Sequence, residues 1–280
     1  EHIAALNRAT RSLAPDAVIV VGPDALSYLP ALSGTTRIWY AADEWVLHHL
    51  SQLQWRQGQV TRNLYAAAVK GAYERAHRRV VDRAWVVSEG DRRAMKRWAG
   101  ISQVDVLPNG VDSDYFRPGE EPVEPRTAVF WGRLDFGPNI QALDWFCRRV
   151  WPIVRQRVPD GRFTIIGFQP TDAVRALAAV PGITLAANLR DLRGAARRHA
   201  VAVLPIVSGA GIKNKLLEAA ALGLPIVCTP LATGGLRGEA PLRTGKSPED
   251  FAARLVDLWL DEARPREAAV AGRAWVVANH

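Results

Sequence analysis

Three charged side chains crowd the stretch Ser208-Gly209-Ala210-Gly211-Ile212-Lys213-Asn214-Lys215-Leu216-Leu217-Glu218. Gly209 and Gly211 let the backbone turn tightly and present its N–H groups, as glycine alone does without steric cost. A helix is predicted to open at Lys213 and Lys215, where the helix dipole prefers anions. Two cations there make sense if an anion lies between them and the free N–H groups, so the stretch reads as a phosphate site. Glu218 follows Lys215 by one turn on the same helix face. A carboxylate there is placed to accept hydrogen bonds from sugar hydroxyls.

The elements that must position these groups are legible on either side. Val201 to Ile206 is a short, β-branched apolar run, the pattern of a buried parallel strand. Gly223 ends the helix, and Pro225 opens a further strand through Cys228. Upstream, Thr127 to Gly132 reads as a strand that runs into Arg133 and the turn Leu134-Asp135-Phe136-Gly137-Pro138-Asn139. A helix follows from Asn139, with Ile140, Leu143, Phe146, Cys147, Val150 and Val154 at helical spacing and Pro152 set to kink or reset it. Arg162–Gly167 and Ile183–Ala187 are further strands, and Pro241–Arg243 a weaker one. Thr233-Gly234-Gly235 is a second glycine turn after a strand; its N–H groups either touch a distal phosphate or belong to a plain loop. Strands alternating with helices, without hairpin signals, imply a parallel doubly wound α/β sheet.

The stretch from Gly209 resembles the signature G-x-G-x-x-x-K-x-L-E-A-x-A-x-G-x-P-V-V of GT-B glycosyltransferases of family 4, closest to exopolysaccharide-type members in Asn214-Lys215-Leu216-Leu217-Glu218-Ala219. The resemblance implies two Rossmann-like domains, the first incomplete here, and a metal-independent transfer from a UDP- or GDP-linked sugar with retention at the anomeric carbon, in polysaccharide biosynthesis. It implies a donor diphosphate held by Lys215 and the turn Gly209, Ala210, Gly211 and Ile212, with Glu218 on the ribose and Leu217 beside it. It adds Gly132 and Arg133, whose alternative role is a surface arginine or loop salt bridge, and Thr233, Gly234 and Gly235. Many members carry a glutamate where Ala210 stands, and the role of that group toward the donor sugar is unfilled. Two other readings follow: a nucleotide-sugar-binding partner that transfers nothing, and a sugar-nucleotide epimerase on the same fold. No cofactor and no metal is expected, since no Asp-x-Asp cluster is present.

The first part of the chain reads as a smaller unit of the same kind. Ala17–Gly22, Arg37–Glu44, Ala84–Ser88 and Val104–Leu107 are predicted strands, with a long helical segment from Trp45 to Arg83. Leu107-Pro108-Asn109-Gly110-Val111-Asp112 matches the family's V-x-P-N-G-V-D turn. Asp43 and Glu44 stand at the C-terminal end of the second strand, where ligands of open α/β sheets gather. They either contact an acceptor or cap the next helix. The resulting division is residues 1–118 as the acceptor-side domain, 119–126 as a linker, 127–263 as the donor domain, and 264–280 as a last helix returning toward the first domain. The missing initiator methionine and a start inside helical sequence suggest a fragment lacking its N-terminal part.

Composition narrows the partners. At 280 residues, 48% hydrophobic and 23% charged, the chain is ordinary globular material for one or two domains. No apolar run reaches the ~20 residues of a membrane span. Cys147 and Cys228 lie far apart in predicted helix and strand, which points to a reducing, cytoplasmic setting without disulfides. The net charge is +8. No stacking-aromatic pattern accompanies it, which argues against nucleic acid. Arg75, His77, Arg78, Arg79, Arg83, Arg92, Arg93, Lys96 and Arg97 cluster on two neighbouring helices. They form either a solvated face or a patch for anionic lipid head groups, since acceptors in the resembled family are glycans or lipid-linked glycans.

Overall fold

The computed structural model describes residues 2–32, 34–42, 44–54, 60–261 and 264–280. These form two compact units. The first comprises Glu1–Pro108 with Gly209–Ile212, the second Asn109–Ser208 with Lys213–His280.

In the first unit α1 (His2–Leu13) precedes β1 (Ala17–Val21) and β2 (Thr36–Ala42), followed by α2 (Trp45–Ser51) and α3 (Val60–His77). Then come β3 (Arg83–Val86), α4 (Glu89–Ala94), a π-helical turn at Met95–Ala99 and β4 (Val104–Val106). The four strands pair in parallel in the order β1-β2-β3-β4. Their core holds Leu26, Leu29, Trp39, Val86 and Met95. Ser88 caps α4 by accepting from the Asp91 N–H, as a serine before a helix does.

The second unit begins with β5 (Glu124–Arg133), α5 (Gly137–Trp145), a π-helical turn at Phe146–Val150 and α6 (Trp151–Arg157). It continues through β6 (Arg162–Phe168), α7 (Asp172–Leu177), β7 (Ile183–Ala187), α8 (Arg193–Arg197), β8 (His199–Leu204), α9 (Asn214–Ala221) and β9 (Ile226–Cys228). It closes with β10 (Arg243–Thr244), α10 (Pro248–Leu260) and α11 (Arg264–Asn279). Pro152 accounts for the break expected near it: the helix widens over Phe146–Val150 and restarts at Trp151. A proline N–H is dispensable in the first turn of the new helix.

The six strands are parallel, in the order β10-β9-β8-β5-β6-β7. The chain winds outward one way from β5 and the other way from β8. The reversal lies between their C-terminal ends, the place where open α/β sheets bind ligands. Under the sheet, Phe146, Trp151, Phe163 and Phe251 are fully buried, with ring centroids of Phe146 and Phe163 4.6 Å apart. Apolar strands covered by helices on both faces are what makes an all-parallel sheet stable.

The segment read as the end of the first domain and a linker is tied into the second unit. The side chain of Asn109 donates to Asn214 Oδ1 at 2.7 Å, and the Arg193 guanidinium donates to the Tyr115 carbonyl at 2.9 Å. Arg197 donates to the Arg117 carbonyl at 3.0 Å, and Glu124–Arg126 already belong to β5. The last helix, α11, packs on α9 within this unit, and Arg273 donates to the Ala221 carbonyl at 2.5 Å.

Candidate functional site

The ends of β5 and α9 bring Lys215 and Glu218 together with residues far away in sequence. The Lys215 ammonium donates to Asn139 Oδ1 at 2.5 Å and lies 4.2 Å from the centroid of the Phe130 ring. Asn139 in turn donates from Nδ2 to the Arg133 carbonyl at 2.7 Å, so one amide ties the β5 turn to the lysine. Gly132 sits between them with φ +155°, and a Cβ there would come within 2.9 Å of both Lys215 Nζ and Asn139 Nδ2. Only a residue without a side chain fits so close to the ammonium. Burial pulls the Lys215 pKa down to about 7; Glu218 pushes it back up and Lys213 lowers it further. An ammonium held there without a full counter-charge is poised for an anion.

Glu218 is oriented from the strand side. The indole of Trp131 donates to its Oε2 at 2.6 Å. An N–H on a carboxylate makes one of the stronger neutral-to-charged hydrogen bonds and fixes the rotamer. The other carboxylate oxygen keeps its capacity for a ligand hydroxyl. Trp131 was not singled out in sequence because an aromatic residue in a strand reads as core, and it is indeed buried. Asn139 was read only as the opening of a helix.

Next to Gly132 lies a hollow of about 130 Å³, lined among others by Tyr115, Gly132, Gly167, Phe168, Asp191 and Arg193. Gly132 and Gly167 are register partners on β5 and β6, and a Cβ on Gly167 would collide with the Gly132 carbonyl and the Leu134 side chain, so glycine there lets the two strand ends and the β5 turn pack closely. The Arg193 guanidinium lies 3.6 Å over the Tyr115 ring and is paired with Asp191 at 2.7 Å. Of these wall residues only Gly132 was a candidate from sequence, since a lone Asp, Arg or Phe carries no pattern.

The remaining marked residues fall in several places. Arg133 is 70% exposed and pairs with Asp135 at 2.7 Å, the loop salt bridge that stood as its alternative. Gly209 (φ +103°) and Gly211 (φ +70°) occupy the backbone region that favours glycine. Gly209 donates its N–H to Ser51 Oγ at 2.9 Å, and the segment Gly209–Ile212 groups with the first unit. Ala210 is half-buried, while Ile212 is buried. Leu217 is fully buried, so its side chain serves the core. Thr233 closes a short turn by donating to the Pro230 carbonyl at 2.8 Å, and Gly234 and Gly235 follow it after β9. Glu44 is fully buried and caps α2, accepting from the Leu47 N–H at 2.5 Å; Asp43 lies outside the described residues. No cluster of His, Cys, Asp and Glu suited to a metal ion occurs among the described residues.

Comparison with known proteins agrees with the fold. Residues 125–261 match the model of the family Glycosyl transferases group 1, just under half of the chain. No curated protein matches it in sequence. Among solved structures it is similar to sucrose-phosphate synthase from Thermosynechococcus elongatus, with a TM-score of 0.77 at 16% identity over 99% of this chain and 73% of that one. It is also similar to TarM (0.74, 12%, covering 94% and 51%). A third is Anabaena Alr3699/HepE in complex with UDP and glucose (0.69, 12%, covering 99% and 76%). The chain thus spans about half the length of TarM and about three quarters of the other two. The fold is GT-B, with two parallel Rossmann-like sheets of which the first is the smaller, and the family model matches within the second unit.

Proposed function

We propose that this GT-B glycosyltransferase chain takes a sugar from a nucleoside-diphosphate donor and passes it to a glycan or lipid-linked acceptor in polysaccharide biosynthesis. The observation that carries the reading is the Lys215 ammonium, seated on Asn139 over the bare Cα of Gly132, with the Glu218 carboxylate one turn along α9. The ammonium takes the donor diphosphate. Glu218, oriented by Trp131, takes the ribose hydroxyls, and the nucleobase enters the hollow beside Gly132 and Gly167. The uridine nucleotide bound by Alr3699/HepE supports this class of donor.

When the bond from the anomeric carbon to the diphosphate oxygen breaks, its electrons stay with the diphosphate. Preplaced cations and N–H groups then stabilise the growing charge, commonly the largest single contribution to such catalysis. Lys215 is the principal cation. The turn through Gly209, Ala210, Gly211 and Ile212 leads directly into α9, and its N–H groups complete the cradle. The Thr233-Gly234-Gly235 turn stands at the distal phosphate. Arg133 joins by exchanging Asp135 for phosphate, since an exposed ion pair holds its partners weakly and guanidinium suits bidentate phosphate contact. Asp43 and Glu44 belong to the acceptor side, where Glu44 acts through the cap of α2. No step requires a metal, and retention of anomeric configuration follows the family pattern.

Ala210, where many relatives of the resembled pattern have glutamate, favours a second reading in which the chain binds donor without transferring sugar. Calorimetry with UDP- and GDP-sugars, followed by transfer assays on glycan and lipid-linked acceptors, separates the two. Transfer abolished by Lys215→Ala and Glu218→Ala supports the enzyme; donor binding lost in both variants without any transfer supports the binder. Unchanged donor affinity in both variants refutes either one.

A further inference from the structure

The glycine turn Gly209–Ile212 groups with the first unit, and a side chain of that unit takes hold of it. The Gly209 N–H donates to Ser51 Oγ at 2.9 Å. The Ser51 hydroxyl itself donates to the His48 carbonyl at 2.6 Å, one turn back along α2. A hydroxyl has one hydrogen to give and lone pairs to accept with. Bonding back to a carbonyl of its own helix spends that hydrogen and fixes the rotamer. A lone pair is left to take an N–H, and Gly209 supplies it.

The oxygen stands where it does because α2 is fixed at both ends. Glu44, fully buried, caps the first turn by accepting from the Leu47 N–H at 2.5 Å. Val46 is buried against α3, where Gly71 leaves the room: a Cβ on Gly71 would come within 3.1 Å of a Val46 methyl. Past Ser51, the Gln52 N–H closes the last turn on the His49 and Leu50 carbonyls. The turn needs such a hold. Gly209 has φ +103° and Gly211 φ +70°, a region open to glycine without strain, and glycine loses the most freedom on being ordered. With the Ser208–Gly209 peptide plane set by Ser51, the backbone that follows through Ile212 faces one fixed way. A backbone already in place receives an anion without a further ordering cost, which is the advantage of preorganised N–H groups.

We infer that Ser51 is a positioning residue for the diphosphate turn: its hydroxyl, fixed by α2, holds Gly209 and so presets the backbone that receives the anion. The inference rests on the reading of this turn as the diphosphate cradle. It adds to that reading a residue outside the stretch that matches the family model, residues 125–261.

The test is titration calorimetry of the full chain with UDP, GDP and inorganic pyrophosphate, joined to amide exchange at Gly209 without ligand. Ser51→Ala should speed that exchange at least about tenfold. It should weaken pyrophosphate, and the nucleotide that the wild type takes, by about three- to tenfold, the worth of one hydrogen bond. Alanine is the better helix former, so the thermal midpoint should hold within a few degrees. Ser51→Thr keeps the hydroxyl and should restore both readouts to within about twofold, which a role in packing alone would not produce. Equal affinity in wild type and Ser51→Ala overturns the proposal and leaves the donor reading standing. Affinity lost with the exchange unchanged overturns it too, since Ser51 would then act on the ligand and not through the turn. Tighter binding in Ser51→Ala would mark the contact as a latch that the donor has to break, again overturning it. A wild type that binds none of the three ligands removes the donor reading and this assignment together.

Discussion

Donor binding should carry a proton with it. In the free protein burial holds Lys215 at a pKa of about 7, where an exposed lysine stands at 10.5. A diphosphate beside the ammonium favours its charged form and returns the pKa toward the ordinary range. Only the protonated lysine makes that contact, so affinity is flat below about pH 7 and falls about tenfold per pH unit above it. Between pH 6.5 and 8.5 the dissociation constant should rise by roughly 25-fold, the ratio of neutral-inclusive populations for a group titrating near 7. A nucleoside-diphosphate sugar is the right ligand, because its diphosphate diester stays fully ionised across this range. Titration calorimetry at pH 8.5 in two buffers of different ionisation enthalpy should show uptake of about one proton, and only about a quarter of one at pH 6.5. Lys215→Arg keeps its charge throughout and should bind with neither proton uptake nor pH dependence. Absence of proton uptake at pH 8.5 in the wild type, or its persistence in Lys215→Arg, would refute the assignment of Lys215 to the diphosphate.

Three further outcomes follow from the same contacts. Trp131→Phe removes the indole N–H from Glu218, so nucleoside-diphosphate affinity should drop about tenfold while inorganic pyrophosphate binding stays unchanged, both read by calorimetry. Gly132→Ala forces a Cβ to within 2.9 Å of Lys215 Nζ and should weaken donor binding more than tenfold, with a thermal midpoint lowered by only a few degrees. Glu74 is raised to about 8 by burial and by the neighbouring Glu44, so the folded state holds its proton more tightly than the unfolded chain. Its contribution is fully present below the unfolded pKa of about 4.5 and is lost as pH rises through about 8. Glu74→Gln should therefore lose less stability than wild type between pH 5 and 9 in urea titrations, and equal slopes would contradict this.

The parallel sheets were legible because short β-branched runs alternate with helical periodicity, and that pattern has few packings. The reversal between β5 and β8 then follows from connectivity, and it puts Gly132 and the start of α9 at one edge. The contact that orients the carboxylate was not legible. Trp131 and Glu218 lie 87 positions apart, and a tryptophan in a strand announces only burial. Asn139 looked like a helix start because its side-chain amide can serve either the backbone or a distant lysine, and only the tertiary structure selects. Arg133 shows the reverse case: phosphate binding and a loop salt bridge were both open, and Asp135, two residues on, takes the guanidinium in the free protein. Glu74 reads as surface on any helix pattern, yet it is buried beside Glu44, the N-cap of α2.

The most direct test is a crystal structure of the chain with a nucleoside-diphosphate sugar bound. A diphosphate oxygen within about 3 Å of Lys215 Nζ, and a ribose hydroxyl donating to Glu218 at a similar distance, is the expected result. A donor bound with its diphosphate away from Lys215 and its ribose away from Glu218 would contradict the account.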